Sequence, residues 1–366
     1  MLTKEIAEEI VKETMDRLKR NINIIDPDGI IIASGDPSRV GLFHAGGLQV
    51  IKTGQPLVIT AENEKNLPGS KTGINLPIEF QHAIVGAIGI TGQKEDVEEF
   101  GDLVKMTTEL MIKQASMASK QEWQQRLKED TFTALLNPPI NAEQIEQQLK
   151  QLAIQLHAPY HVFLIDLQQE KLADTTILKQ IEQIIYPDRS LVGFHEGSKI
   201  FALTSGYTPQ RLRKKLQAVK EMLKKANVRC QIGYGTPAEQ LEAVAISFKE
   251  AELALRIRTG SKTFVSYEDI ETEALIYQLD QLTKSRFLTR VFPQLTPKTK
   301  ETLQTFFQYN MNITETAQAL FVHRNTLMYR LKRIKEKTGY DPQLFADAVT
   351  LQIAIWIAAH LEEEKM

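Results

Sequence analysis

Cysteine is nearly missing from this chain: Cys230 stands alone among 366 residues. A single cysteine excludes an intrachain disulfide framework and any multi-cysteine zinc site, and it suits a reducing compartment. Excess charge is missing as well, because 44 Lys and Arg stand against 46 Asp and Glu. Any nucleic-acid surface therefore has to be local. Long apolar runs are also lacking. The opening MLTKEIAEEIVKETMDRLKR alternates acids and bases with apolar residues, unlike the basic and then continuously apolar pattern of a signal peptide. The late segment AVTLQIAIWIAAHL is interrupted by Thr350, Gln352 and His360 and reads as too short to span a bilayer. A soluble cytoplasmic protein is expected. The chain has no Walker A phosphate loop, no G-x-S-x-G elbow and no H-E-x-x-H helix. His157 and His161 have the spacing of a helical metal pair, but Pro159 interrupts that helix. No catalytic residue, metal or cofactor is expected.

The length points to two or three domains. Residues 1–20 read as a helix with Ile6, Ile10, Met15 and Leu18 on one stripe. NINIIDPDGIIIAS reads as a hairpin about a Pro-Asp-Gly turn, and INLPIEF with HAIVGAIGITG as a second strand pair. Residues 1–115 are thus expected to form a small α+β domain. From about Val97 the pattern turns helical through Trp123, and no Gly or Pro occurs between Asp102 and Asn137. One long helix is expected, with 116–130 as a connector and Met106, Met111 and Met117 packing it. HVFLIDLQ, KIFALTS and VRCQIGYG alternate with helical stretches such as AVAISFKEAELALRIR, which predicts an α/β layer fold over 131–275. Residues 276–366 show no convincing strand and are expected to be all helical.

The richest stretch is NITETAQALFVHRNTLMYRLKRIKEKTGYD. Thr314 is the expected N-cap of a short helix, Ala317 is small where another helix would cross it, and Phe321, Val322 and His323 make a turn. A second helix then places Leu327, Leu331 and Ile334 on its inner side. His323, Arg324, Asn325, Thr326, Tyr329, Arg330 and Arg333 remain near its N-terminus and outer surface. Arg reads guanine and Asn reads adenine bidentately, and further basic side chains neutralise phosphate. A plain solvated basic face explains the charges equally well, but not the short helix and turn that precede them. TAQALFVHRNTLMYRLKRIKEKTGYD closely resembles the C-terminal helix-turn-helix of the purine-catabolism and carbohydrate diacid regulator families. That resemblance implies a DNA-reading helix, and such helices act in pairs, so a homodimer or higher homo-oligomer is expected.

Near the N-terminus, Gly35, Gly41, Gly46 and Gly47 permit sharp turns beside Ser34, Arg39 and His44, while Lys71, Thr72 and Asn75 follow later. Arg and Lys suit carboxylates, Ser, Thr and Asn suit hydroxyls, and amides freed at the glycine turns would complete an anion site. Read alone, these are equally well turn residues and surface charges. SGDPSRVGLFHAGG, with GINLPI and VGAIGITG, resembles the sugar-diacid recognition domain of the carbohydrate diacid regulators. It implies a PAS- or Cache-like sensor of a small hydroxy-carboxylate such as glucarate, galactarate or glycerate. Ser34, Arg39, His44, Lys71 and Asn75 are the expected ligand contacts on grounds of charge and turn chemistry.

The middle stretch, with IGYGTPAEQ and SFKEAELALRI, resembles a degenerate GGDEF-type domain. Its best hairpin, VGFHEGSKIFAL, offers Glu196 alone, with Phe194 and His195 where glycines belong and Gly197 and Ser198 after the acid. Asp166 adds one acid, too few for a two-metal site. The expected architecture is therefore multidomain α/β: an α+β sensor, an α/β GGDEF-like domain and an all-α helix-turn-helix domain. The expected function is ligand-responsive DNA binding, an activator of hydroxy-acid or sugar-diacid catabolic genes. The competing readings are a nucleotide-signalling enzyme and a metabolite-binding protein acting through a protein partner.

Overall fold

The computed structural model describes residues 2–167, 175–196, 199–257 and 263–363. Contacts divide the chain into two units, Met1–Gln125 and Arg126–Met366. Gly197 and Ser198 lie outside the described residues, as do Gln168 and Arg258 at the ends of a predicted strand and helix.

The first unit opens with α1 (Lys4–Leu18), capped by the Thr3 hydroxyl. The hairpin β1 (Ile22–Ile25) and β2 (Ile31–Ser34) follows, then α2 (Ala45–Thr53) and β3 (Leu57–Ile59). A second pair, β4 (Gly73–Phe80) and β5 (Ala83–Thr91), completes an antiparallel sheet of order β2-β1-β5-β4-β3. Alternation divides the side chains between its two faces. Ile22, Ile24, Ile74, Leu76, Ile88 and Ile90 pack in one cluster with Ile10 of α1 and with Val97 and Val104 of α3 (Lys94–Leu136). Ile25, Ile31 and Ala87 instead pack with Val50 of α2. The sheet is covered on both faces.

As its uninterrupted sequence predicts, α3 is one helix of 43 residues. Its packing meets expectation only in part: Met111 packs against the sheet cluster, but two other methionines do not. Val97, Val104 and Ile112 are buried, whereas Met106 and Met117 are more than half exposed, along with Leu103 and Leu110. The helix has two apolar stripes, and periodicity alone cannot say which is covered.

In the second unit, α4 (Ala142–Leu152), α5 (Thr175–Ile185), α6 (Pro209–Lys225) and α7 (Val244–Arg256) accompany β6 (Tyr160–Asp166), β7 (Ser190–His195), β8 (Lys199–Ser205), β9 (Gln231–Tyr234) and β10 (Phe264–Ser266). The strands form one sheet of order β10-β9-β6-β8-β7, in which only β10 and β9 pair in parallel. Helices α5 and α6 pack on one face. The end of α3, with α4 and α7, covers the other, where the Phe132 and Phe201 rings stack at 3.8 Å.

The remainder is helical: α8 (Tyr267–Tyr277), α9 (Gln281–Val291), α10 (Pro297–Gln308), α11 (Ile313–Ala319), α12 (Arg324–Thr338) and α13 (Phe345–Glu363). At 19 residues α13 is longer than its uncharged stretch suggested, long and apolar enough by length and composition to cross a membrane. In the fold it packs as a core helix, with Leu351, Ala354 and Ile355 buried against Val291, Phe292, Leu303 and Ile334.

Candidate effector site and nucleic-acid interface

On the α2 face of the first sheet the apolar pattern breaks. Asn23 of β1 pairs in register with Gly89 of β5, and Gly89 with Asn75 of β4, so the three lie side by side. Both asparagines are 2% exposed. Gly89 leaves room between them, since a methyl group built there would meet Asn75 Oδ1 at 2.7 Å. Above them sits the start of α2. His44 is its N-cap, and its Nδ1 accepts from the Gly47 amide at 2.9 Å. Ser70 Oγ accepts from the Gly46 amide at 3.0 Å and lies 3.4 Å from His44 Nδ1. A methyl group built on Gly46 would stand 3.1 Å from Ser70 Oγ and 3.5 Å from Asn75 Nδ2. A side chain at residue 46 would therefore crowd this space.

Arg39, 6% exposed, ends a short 3-10 turn and donates from Nη2 to the Gly69 carbonyl at 2.5 Å. Its Nη1 is buried with no hydrogen-bond partner, and so is Asn75 Oδ1. Buried polar atoms are normally paired, and an orphan costs about 1–3 kcal/mol. One orphan is a cationic donor and the other a neutral acceptor. Burial, with the positive charge of Arg39 adding to it, depresses the His44 pKa to about 4. The ring is thus neutral near pH 7 and, with Nδ1 accepting, carries its proton on Nε2.

His44 and Asn75 thus lie beside Ser70 and Gly46, with Arg39 bonded to the carbonyl of Gly69, the residue before Ser70. Ser34 belongs to the supporting structure, donating to Asn23 Oδ1 at 2.7 Å. Lys71 is exposed, with its Nζ 3.9 Å from Asp36 Oδ2. The expectation of free amides at the glycine turn is corrected: Ala45, Gly46 and Gly47 donate to Pro68 O, Ser70 Oγ and His44 Nδ1. Sequence reasoning missed Ser70, Asn23 and Gly89. The visible signal was an asparagine in the middle of each of two apolar strands, where β-propensity disfavours it.

In the last domain, α11 and α12 are joined by a turn in which Phe321 takes φ +53° and is 96% exposed. The N-cap of α11 is Asn312 rather than Thr314: its Oδ1 accepts from the Thr314 and Glu315 amides, while Nδ2 donates to the Glu315 carboxylate. Ala317 is buried against Leu327 and Leu331 with Phe306, which fixes the crossing of α11 and α12. His323 caps α12, its Nδ1 accepting from the Asn325 amide at 3.2 Å. Arg324, Asn325 and Thr326 are exposed on the first turn of α12, and Tyr329 and Arg333 further along. Arg330 is half-buried and donates to Thr302 Oγ1 of α10 at 3.5 Å. Gly339, at φ +79°, ends the helix.

Comparison with known proteins identifies each module. The sugar diacid recognition family matches residues 2–135, the GGDEF-like domain residues 137–257 and the PucR C-terminal helix-turn-helix domain residues 299–357. The carbohydrate diacid regulator of Escherichia coli (strain K12) is 28% identical over 100% of this chain and 99% of its own length. The chain is thus similar over its whole length to a carbohydrate diacid regulator. YsfB of Bacillus subtilis (strain 168) is 26% identical over 96% of both chains. A regulator of polyketide synthase expression from Bifidobacterium adolescentis covers 64% of this chain and 92% of its own at 18% identity, with a TM-score of 0.34 that adds nothing to the assignment.

As a diacid-regulator homologue with a helix-turn-helix, the chain is a transcriptional regulator rather than an enzyme. The degenerate hairpin of this regulator fits that role. His195, Glu196 and Glu252 place ligand atoms within 4.8 Å of one another. However, Lys199 Nζ lies 3.2 Å from Glu196 and holds its pKa down, so the acid already has a cation of its own chain beside it. Asp166 pairs in register with Lys199 at the same end of the sheet.

Proposed function

We propose that the chain is an effector-responsive activator of catabolic genes, cytoplasmic and dimeric, whose N-terminal domain binds a small hydroxy-carboxylate of the glucarate, galactarate or glycerate type. The observation that carries this reading is the pair of buried orphans. Arg39 Nη1 lacks an acceptor and Asn75 Oδ1 lacks a donor. A hydroxy-acid supplies both, a carboxylate for the guanidinium and a hydroxyl for the amide oxygen. The neutral His44 and the Ser70 hydroxyl give further polar contacts without a second charge. Burial pushes the Arg39 pKa below its ordinary value, while the charges of Asp36 and Glu64 partly offset this and favour the charged form.

The same strand supplies a route outward. Asn75 sits in β4 between Ile74 and Leu76, whose side chains point to the other face of the sheet. There a methyl group built on Gly101 of α3 would meet Leu76 Cδ1 at 3.2 Å and Ile74 Cδ1 at 3.5 Å. A ligand that draws Asn75 inward moves the strand against α3 at this close approach. Only a difference in affinity between two arrangements gives such a movement regulatory weight. At the DNA, the first turn of α12 reads bases through Arg324 and Asn325, with His323 and Thr326 beside them.

The test is thermal unfolding of the purified protein against glucarate, galactarate, glycerate, glycolate and neutral sugars. An acid at a hundred times its Kd raises stability by about 2.7 kcal/mol. A raised midpoint with a hydroxy-acid and none with neutral sugars is the expected result. Equal midpoints across the panel contradict the effector class.

A further inference from the structure

Besides the exposed first turn, α12 has a flank that faces α10, and between them lies a cleft of ≈ 280 Å³. Lys298 on α10 and Arg330, Arg333 and Lys337 on α12 line it, with the hydroxyls of Thr296, Thr299, Thr302 and Tyr329. No carboxylate is among the lining residues. Among the described residues, none of these four cations forms an ion pair, although other cations on the same two helices do: Lys300 with Glu362, and Lys335 with Asp341. Four uncompensated positive groups around one cleft repel each other, an arrangement that an anion relieves. The cleft is also built: Arg330 Nη1 donates to Thr302 Oγ1 at 3.5 Å, and the Arg333 guanidinium lies 6.0 Å from the centre of the Tyr329 ring. At its α10 side Thr296 caps the helix, so the positive end of the dipole faces the same space.

We propose that this cleft seats a phosphodiester of the DNA backbone, so that the DNA-binding surface extends beyond the helix-turn-helix onto α10, with Lys298 and Lys337 acting on affinity rather than on sequence choice. The inference rests on the DNA-binding reading of α12. In it, Arg330 and Arg333 act as backbone clamps, and base reading is left to the residues around Arg324 and Asn325.

The test is fluorescence anisotropy of the full-length protein on a duplex from its own promoter and on an unrelated duplex, over a salt series. The variants are Lys298→Gln with Lys337→Gln, Arg324→Ala with Asn325→Ala, and Lys214→Gln as a charge control on α6. The cleft pair is expected to weaken both duplexes by the same factor and to flatten the slope of log K against log salt by about 0.9 for each phosphate no longer neutralised. The promoter preference stays as in wild type, and Lys214→Gln changes nothing. A cleft pair with wild-type slope and affinity overturns the clamp while the reading helix stands. A cleft pair that loses promoter preference overturns it too, by making these residues base readers. If Arg324→Ala with Asn325→Ala is also silent on both duplexes, the DNA reading itself falls and the clamp with it.

Discussion

The two anion-recognition surfaces proposed for this molecule rest on opposite principles. In the sensor, one guanidinium is 6% exposed and its free nitrogen is enclosed by protein. On α12 and α10, several cations stand in solvent, each able to meet a phosphate without losing most of its hydration. A buried site has a fixed shape and little screening, so it selects one small acid; an exposed array gains affinity from many weak contacts and from released counterions. The difference teaches that positive charge alone does not define a site. What defines each is where the water is.

Salt gives the widest separation of the two. If the helix-turn-helix pair holds six or more phosphates, DNA affinity falls about 10³-fold or more between roughly 50 and 200 mM salt. Effector affinity, set by the enclosed Arg39, is expected to change little over the same range, as isothermal titration of the acid at both salts would show. A steep salt dependence of effector binding would break the comparison.

Arg39→Ala comes next. Removing one partner of a buried charged pair costs roughly 2–5 kcal/mol of binding. The thermal shift with any hydroxy-acid should vanish in this variant, while its affinity and salt slope on DNA without acid stay as in wild type.

Acidity sharpens the contrast further. Burial holds His44 near pKa 4, below the ordinary value of 6.5. Between those values the unfolded chain takes up a proton that the folded chain refuses. Stability is therefore unaffected above pH 6.5 and falls as pH drops toward 4, by at most ~3 kcal/mol from this group. Urea denaturation at pH 7, 5.5 and 4.5 measures it. His44→Asn, which keeps an N-cap acceptor, should remove that part of the acid sensitivity; an unchanged pH dependence in the variant would place its origin elsewhere.

The smallest effect is expected at the reading end. Asn325→Ala should cost about 1–3 kcal/mol on a duplex carrying the preferred base and nothing on one that lacks it. A uniform loss on all duplexes would make Asn325 a backbone contact, like the residues of the α10 cleft.

How much of this could be read from the sequence depended on how local each signal was. Leu327, Leu331 and Ile334 turn inward at the spacing that the sequence shows, and HRNT lands on the exposed first turn of α12. Even the miscounted cap is a local matter: Asn312 and Thr314 are both good acceptors two residues apart, and the asparagine reaches both following amides. The sensor is less legible. Asn23, Gly89 and Asn75 come together only through the order and register of β1, β5 and β4. No spacing along the chain states that register. Lys71, the next residue after Ser70, ends in solvent beside Asp36; both precede β4, where no strand or helix period states which way a side chain turns. On α3 the single long helix was legible and Met111 packs as expected, but Met106 and Met117 belong to the exposed stripe, which periodicity alone does not distinguish.

The central claim is that the acid in the sensor changes how the helix-turn-helix meets DNA. The direct measurement is the Kd for a duplex from the protein's own promoter, with and without a saturating hydroxy-acid, in wild type and in Arg39→Ala. The account predicts an acid-dependent change of about 5- to 150-fold in wild type and none in Arg39→Ala. An acid that binds wild type yet leaves its DNA affinity unchanged would contradict it, separating the pocket from the helix it is held to control.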